Sequence, residues 1–265
     1  MRAQVYGLDG EPLGWTDLPP VFETPLNRRL INRAFWIQFT HMLQRKGRDP
    51  EAGERTSAIS WNTGHGVARM ARVKGERNPR AGQAAGVAGV VKGRLPHPPK
   101  VEKVIYKRMN RKERILALMS AISATTSKET VASRGHRISK VPDFPLVVDD
   151  KLQQLSKASE LRAFLEKMGL NEDIERTTNR KRRAGKSSWR GRGRRNGKGP
   201  LIVVAADQGV GRAAGSFPGV DVLEVDDLNV LELAPGGNPG RLTVWTRSSL
   251  DALSTKFAGV LVNAA

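Results

Sequence analysis

Between Arg45 and Lys100 the chain runs for more than fifty residues with almost nothing to build a core from. It reads Trp61-Asn62-Thr63-Gly64-His65-Gly66-Val67-Ala68-Arg69, passes through a Gly/Ala/Val stretch, and ends Lys92-Gly93-Arg94-Leu95-Pro96-His97-Pro98-Pro99-Lys100. From Arg55 to Lys100 there are nine Lys/Arg and one acid, Glu76. A segment this long, rich in glycine and cation, is unusual inside a compact domain. It buries too little apolar surface to offset the entropy of its own ordering. Either a polyanion orders it or it is a solvated linker, and a linker would be richer in Ser and Glu and poorer in Arg.

The formal net charge of +19 makes a counter-charge necessary in a compact state. Nucleic acid is the usual source, with an anionic membrane second. No apolar run approaches the roughly 20 residues that span a bilayer. The basic stretches also lack the Leu/Trp/Phe face of an interfacial helix, so no membrane partner is expected. Met1 to Gly10 has no apolar signal core, and cysteine is absent, which removes disulfides and Cys-based zinc sites. Both fit a cytoplasmic protein. The length permits one domain with extensions, or two.

The distribution of charge says more than its total. Arg45 to Arg114 holds eighteen Lys/Arg against six acids, and Arg176 to Lys198 holds eleven against none. From Asp207 onward there are four Lys/Arg against seven acids. This is the pattern of an ordinary folded body, residues 1–44 and 101–265, carrying a basic arm at 45–100 and a basic loop at 176–198.

Ala3 to Leu8 is expected as a strand turning at Asp9-Gly10, with another turn at Pro19-Pro20. Thr24-Pro25 reads as an N-cap with proline at the first helical position. The stripe Leu30, Ile31, Ala34, Phe35, Ile37, Met42 then carries a helix to about Leu43. A second helix opens at Asn110, with Glu113 placed for a capping box and Ile115, Leu118, Met119 and Ile122 inward. Pro145 to Val148 is a short buried strand. Ser156 to Met168 is a helix with Leu161, Phe164, Leu165 and Met168 inward and Gly169 as its stop. Strands follow at 201–206, 220–225 and 242–246. Between and after them come a helical turn at 212–217, a short helix at 230–233 and a helix from Ser248 to about Phe257. Alternation of this kind predicts an α/β body with a parallel sheet flanked by helices, into which the long non-globular extension is inserted.

The arm's candidate RNA contacts are Arg55, Trp61, His65, Arg69, Arg72, Lys74, Arg77, Arg80, Lys92, Arg94, His97 and Lys100. Arginines fork onto phosphate and stack on bases, Trp61 and His65 can stack, and Pro96-His97-Pro98-Pro99 is stiff. As a hairpin the segment could reach up to about 90 Å, against a radius of gyration of about 16–17 Å for the body. Its length favours irregular folded RNA, whose crevices it could fill, over duplex DNA. In the second basic stretch Arg180, Lys181, Arg182, Arg183, Lys186, Arg190, Arg192, Arg194, Arg195 and Lys198 surround Trp189. A cationic loop with an aromatic reads as a phosphate-contacting and stacking segment, with a localisation signal or a solvated loop as the bland alternative.

The sharpest enzymatic signal is Gly209-Val210-Gly211-Arg212-Ala213-Ala214. It follows an apolar strand, fits G-x-G-x-x-A, and has Asp226 or Asp227 at a ribose-binding distance. Phe217-Pro218-Gly219 leaves it no full helix, so a tight turn is the plainer role. Ala184-Gly185-Lys186-Ser187 resembles the end of a P-loop but lacks its first glycine and a preceding strand. His41, His65, His97 and His136 lack ligand spacing. No nucleophile elbow or carboxylate pair stands out. No enzyme, cofactor or metal is expected.

Taken in order, several motifs resemble the family of large-subunit ribosomal protein four, archaeal and eukaryotic type. They are Asp17-Leu18-Pro19-Pro20-Val21-Phe22-Glu23-Thr24-Pro25, Gly64-His65-Gly66-Val67-Ala68-Arg69, Val91-Lys92-Gly93-Arg94 with His97-Pro98-Pro99-Lys100, and Lys112-Glu113-Arg114. Arg134-Gly135-His136 and Leu233-Ala234-Pro235-Gly236-Gly237 with Pro239-Gly240-Arg241-Leu242-Thr243-Val244 complete the set. The resemblance covers nearly the whole chain. It implies a non-catalytic protein of the large ribosomal subunit, bound to its rRNA and to neighbouring ribosomal proteins, that supports assembly. It further implies an arm whose tip, near residues 65–80, helps line the nascent-peptide exit tunnel. Arg69, Arg72, Lys74 and Arg77 are then tip residues, with Arg80 also in deep RNA contact. His65 departs from the family, which has an arginine there. Two rivals stand beside this reading: a nucleotide-binding α/β enzyme, and a non-ribosomal RNA or DNA chaperone.

Overall fold

The computed structural model describes residues 1–77, 79–179 and 181–261. The chain divides into two compact units, residues 1–39 with 108–265, and residues 40–107.

In the first unit β1 (Arg2–Tyr6) and β2 (Pro12–Asp17) form a hairpin, followed by a 3-10 turn at Pro20–Glu23 and α1 (Arg28–Thr40). The second unit contributes β3 (Ala58–Ser60) and β4 (Ala71–Val73). The first unit resumes with α2 (Arg111–Ser123), α3 (Lys128–Ser133), β5 (Leu146–Val148), α4 (Ala158–Lys167) and α5 (Asn171–Thr178). A two-stranded ribbon follows, β6 (Lys181–Arg182) and β7 (Arg194–Arg195). Last come β8 (Leu201–Val204), α6 (Val210–Ala214), β9 (Asp221–Glu224), α7 (Val230–Leu233), β10 (Thr243–Thr246) and α8 (Arg247–Leu261).

The main sheet runs β2-β1-β5-β10-β8-β9. Every pairing from β1 to β9 is parallel, and only β2 lies antiparallel, against β1. The expected parallel sheet is therefore a mixed one. β2 was not anticipated: Gly14 interrupts a run too short to show alternation, and its partner supplies the pairing. Parallel strands need cover on both faces, so their runs are apolar throughout, as Leu201-Ile202-Val203-Val204 is. Alternate side chains feed two cores. Val147, Leu201, Val203 and Trp245 enter one with α1, α2, α7 and α8. Leu146, Val148, Ile202, Val204 and Val244 enter the other with α4, α5 and α6. Trp245 is fully buried, with Phe22 edge-on at 5.4 Å. The four inward residues of the 156–168 helix are buried as expected, and Gly169 follows with φ +71°.

Three local expectations need correction. α1 opens at Arg28, not at Pro25: Asn27 accepts the Leu30 amide at 3.0 Å, while the Thr24 hydroxyl turns back to Val21 O and closes the 3-10 turn. Asn110 makes no side-chain cap, and Glu113 pairs with Arg33 at 3.4 Å instead. The 212–217 turn is α6, two residues earlier, because Asp207 caps its start.

Arg134 explains why two separate motifs travel together. Its guanidinium donates to the carbonyls of Pro235 (2.8 Å) and Asn238, clamping the Pro235-Gly236-Gly237 turn, and burial pulls its pKa down to about 10. Two residues on, His136 donates from Nδ1 to buried Asp173 at 2.9 Å, and Asp173 also accepts from Arg176 Nε at 2.8 Å. Burial lowers the His136 pKa and outweighs the pull of Asp173, whose charge Arg176 already balances.

Candidate nucleic-acid interface

The 40–107 unit has a stitched base. The Thr40 hydroxyl accepts from the Lys107 amide at 3.1 Å, His41 Nε2 lies 2.9 Å from Lys107 O, and Arg45 sits over Tyr106 at 5.7 Å. Further along, β3 and β4 pair antiparallel with Ala58 opposite Val73 and Ser60 opposite Ala71. A third limb adds to β4: Val73 donates to Gln83 O and Ala85 to Ala71 O. Val73 is buried at this junction. The segment thus holds a small ladder of its own, where none was expected. Backbone hydrogen bonds do not depend on apolar side chains, so hydropathy could not reveal it.

Two glycines make a close crossing. A Cβ on Gly53 would stand 2.5 Å from the Gly93 carbonyl carbon, and one on Gly93 would stand 2.3 Å from Val87 O. The Val91-Lys92-Gly93-Arg94 motif therefore brings backbones together as well as carrying cations.

The candidate contacts of this unit divide by what their charge already faces. Arg72 is used internally: its guanidinium lies 5.7 Å from the Trp61 ring centroid and donates from Nη1 to Gly82 O at 2.8 Å. Trp61 also meets His65 at 5.7 Å. Arg55 pairs with Asp49 (2.6 Å) and Glu51 (3.2 Å), and Arg94 with Glu54 (3.4 Å). Those three acids sit just upstream of the acid-poor run, and only the folded turn brings them to its arginines. Arg69, Lys74, Arg77, Lys92, His97 and Lys100 are exposed; Arg80 is exposed too, but is not without a contact.

The second basic stretch is not a plain loop. Arg176 belongs to α5, held by Asp173 and donating to Lys198 O at 2.9 Å. The Lys198 ammonium lies 2.7 Å from Asp221 and 3.0 Å from Glu232. The two ends of the stretch are thus fastened within the body. Between them, Lys181 stands opposite Arg195 and Arg182 opposite Arg194, all four exposed. The Arg183 amide adds a bond to Gly193 O at 2.8 Å. At the far end Trp189 is 84% exposed, among exposed Lys186, Arg190 and Arg192. Arg180 lies outside the described residues. Like charges directly opposite on a ribbon repel, and no carboxylate faces these among the described residues.

The nucleotide signature fails on geometry. Asp207 Oδ1 accepts the amides of Gly209 (2.9 Å) and Gly211 (3.1 Å), so a carboxylate occupies the place a pyrophosphate would take. A Cβ on Gly211 would stand 2.3 Å from Asp207 Oδ2, which accounts for that glycine without a ligand. α6 has five residues, and Asp226 is 96% exposed. Among the described residues no group of three His, Asp or Glu is placed to hold a metal ion, and no helix is long and apolar enough to cross a membrane.

A mixed α/β body together with exposed cations on a ladder and on a ribbon defines a charge-carrying protein. The model of the Ribosomal protein L4/L1 family matches residues 16–256, and the chain belongs to that family. It is 48% identical to large ribosomal subunit protein uL4 of Methanopyrus kandleri, over 97% of this chain and 99% of that one. It is 45% identical to the uL4 of Methanocaldococcus jannaschii, over 97% and 100%, and 42% identical to that of Saccharolobus islandicus, over 96% and 94%. Ribosomal proteins of this family are structural and non-enzymatic, and nothing supports the enzyme or chaperone rivals.

Proposed function

We propose that this chain is a structural component of the large ribosomal subunit in the cytoplasm and binds large-subunit rRNA through two basic segments. One is the extension at 45–100. The other is the ribbon at 181–195, whose neighbours Arg176 and Lys198 fasten it and leave its cations outward. The observation that carries the reading is the ribbon's register, in which cations face cations on both rungs. Such pairing is unfavourable in isolation and favourable once phosphate lies between the side chains. Trp189 at the end of the same ribbon is suited to stack on an unpaired base.

In the extension, Arg69, Lys74, Arg77, Arg80, Lys92, His97 and Lys100 face phosphate. Arg72 with Trp61 and His65 holds the shape of the part that carries them. Residues 65–80 form the tip that reaches the nascent-peptide tunnel, and the exposed imidazole of His65 replaces the family's guanidinium beside it. Neighbouring large-subunit proteins adjoin the body. Deleting residues 55–95 tests the assignment: the body should melt as before, while the chain's recovery in large subunits after a high-salt wash falls. A variant that still enters subunits stoichiometrically sinks the assigned role of the extension.

A further inference from the structure

The main sheet ends at β2, which pairs only with β1. Five of its six residues are exposed. Leu13 and Trp15 are 63% and 68% exposed, and the register slips at Leu13, between the Val5–Gly14 and Tyr6–Pro12 pairs. Trp15 stands opposite Gln4 in the register, on the face where the next residue inward, Tyr6, is buried. The cover over that face therefore stops between β1 and β2. Open edges are usually blunted by lysine, proline or a bulge. Here Pro12 and a one-residue register slip at Leu13 blunt only the start of the strand, and Gly14 to Asp17, in regular register, contains neither proline nor lysine.

The charge nearby is the reverse of the rest of the molecule. Residues 1–27 contain one cationic side chain, Arg2, against Asp9, Glu11, Asp17 and Glu23, in a chain of net charge +19. Arg2, Lys167 and the Met1 ammonium hold Asp17, Asp9 and Glu23 in exposed pairs at 2.9, 2.6 and 2.9 Å. Pairs of that kind contribute little and exchange readily. An apolar edge rimmed by carboxylates repels phosphate. It suits an extended polypeptide that brings backbone donors and acceptors, an apolar side chain and cations.

We propose that β2 is a docking edge for an extended, Lys/Arg-rich segment of a neighbouring protein. The segment adds to the sheet as a further strand and seats an apolar side chain against Leu13 and Trp15. The inference rests on the ribosomal reading only for where the neighbour comes from.

The test uses the full chain carrying a photo-crosslinking side chain at position 13, incorporated into large subunits and washed in high salt. The expected product joins position 13 to a Lys/Arg-rich peptide of another large-subunit protein. The β2 amides that do not bond to β1 should exchange at least about tenfold more slowly in the subunit than in the free chain. Trp15→Glu, on an exposed site, should leave the free chain's melting unchanged and abolish both signals. Crosslinks to RNA alone overturn the proposal, as do β2 amides that exchange in the subunit as they do in the free chain. A chain missing from large subunits sinks the ribosomal reading along with it. A chain present there with an unprotected β2 sinks this proposal alone.

Discussion

The β8-β9 end of the sheet and the 181–195 ribbon treat positive charge in opposite ways. Arg241 is fully buried, and its guanidinium donates to Asp221, to Glu232 Oε2 at 3.1 Å and to the Gly199 carbonyl at 2.9 Å. Arg182 is exposed and faces Arg194. A buried cation is tolerated only when its partners come with the fold. An exposed one can wait for a partner that arrives from outside. The same residue type is thus a structural pin in one region and an open valence in the other, and the position of the carboxylates decides which.

The comparison can be broken first at the buried end. Arg241→Ala should cost about 3 kcal/mol, the lower part of the range for breaking a buried pair, because Lys198 remains beside both acids. Urea unfolding of the full chain measures it, and a loss below about 1 kcal/mol, the scale of an exposed pair, would remove the distinction between the two regions.

Acid should act on the same body and spare the ribbon. Burial keeps His136 neutral in the fold, so the unfolded chain binds more protons there, and stability rises with pH. The contribution is present above the ordinary histidine value of about 6.5 and is lost as pH falls below it. Asp173 and Asp221 act in the same direction at lower pH. Burial raises each carboxyl, but His136 and Arg176 in one case and Arg241 and Lys198 in the other hold it below the usual carboxylate range. Their stabilisation is present above about 3.9 and lost as pH falls further. The melting temperature should drop from pH 7 to pH 2, and His136→Asn should flatten the part of that slope above pH 4.

Inside the 40–107 unit, Arg72→Ala and Lys74→Ala should separate shape from contact. The first removes a cation–π contact and a hydrogen bond worth together about 1–2 kcal/mol, and should speed amide exchange at Val73 and Ala85. The second should leave exchange alone and lower the salt slope of RNA binding by about 0.7. Equal effects on exchange would put Arg72 back among the plain phosphate contacts. The smallest effect belongs to the ribbon. Arg194→Glu opposite Arg182 should stabilise the free ribbon by about 0.2–1 kcal/mol while weakening RNA binding. Amide exchange at Arg183 and filter binding report the two signs.

What could be read from the chain alone follows physical range. Leu146-Val147-Val148 and Leu201-Ile202-Val203-Val204 announced buried strands because a strand covered on both faces has no polar position. The 158–167 helix was legible in its spacing, and Gly169 in its need for positive φ. The same was true of the two cationic runs. The candidate contacts were harder to sort. Trp61, Arg72 and Gly82 meet only through the ladder, and Arg55 meets Asp49 and Glu51 only through a turn.

The sequence by itself therefore determined which stretches could be buried and where the positive charge outruns the negative, since both are local sums over side chains. The tertiary structure alone decided which of those charges were already satisfied. Lys198 finds Asp221 and Glu232 across 23 and 34 residues, and Asp207 turns back into its own helix start. Those pairings are matters of distance in space, and an ionic or hydrogen-bonding partner is set by distance and direction, not by place along the chain.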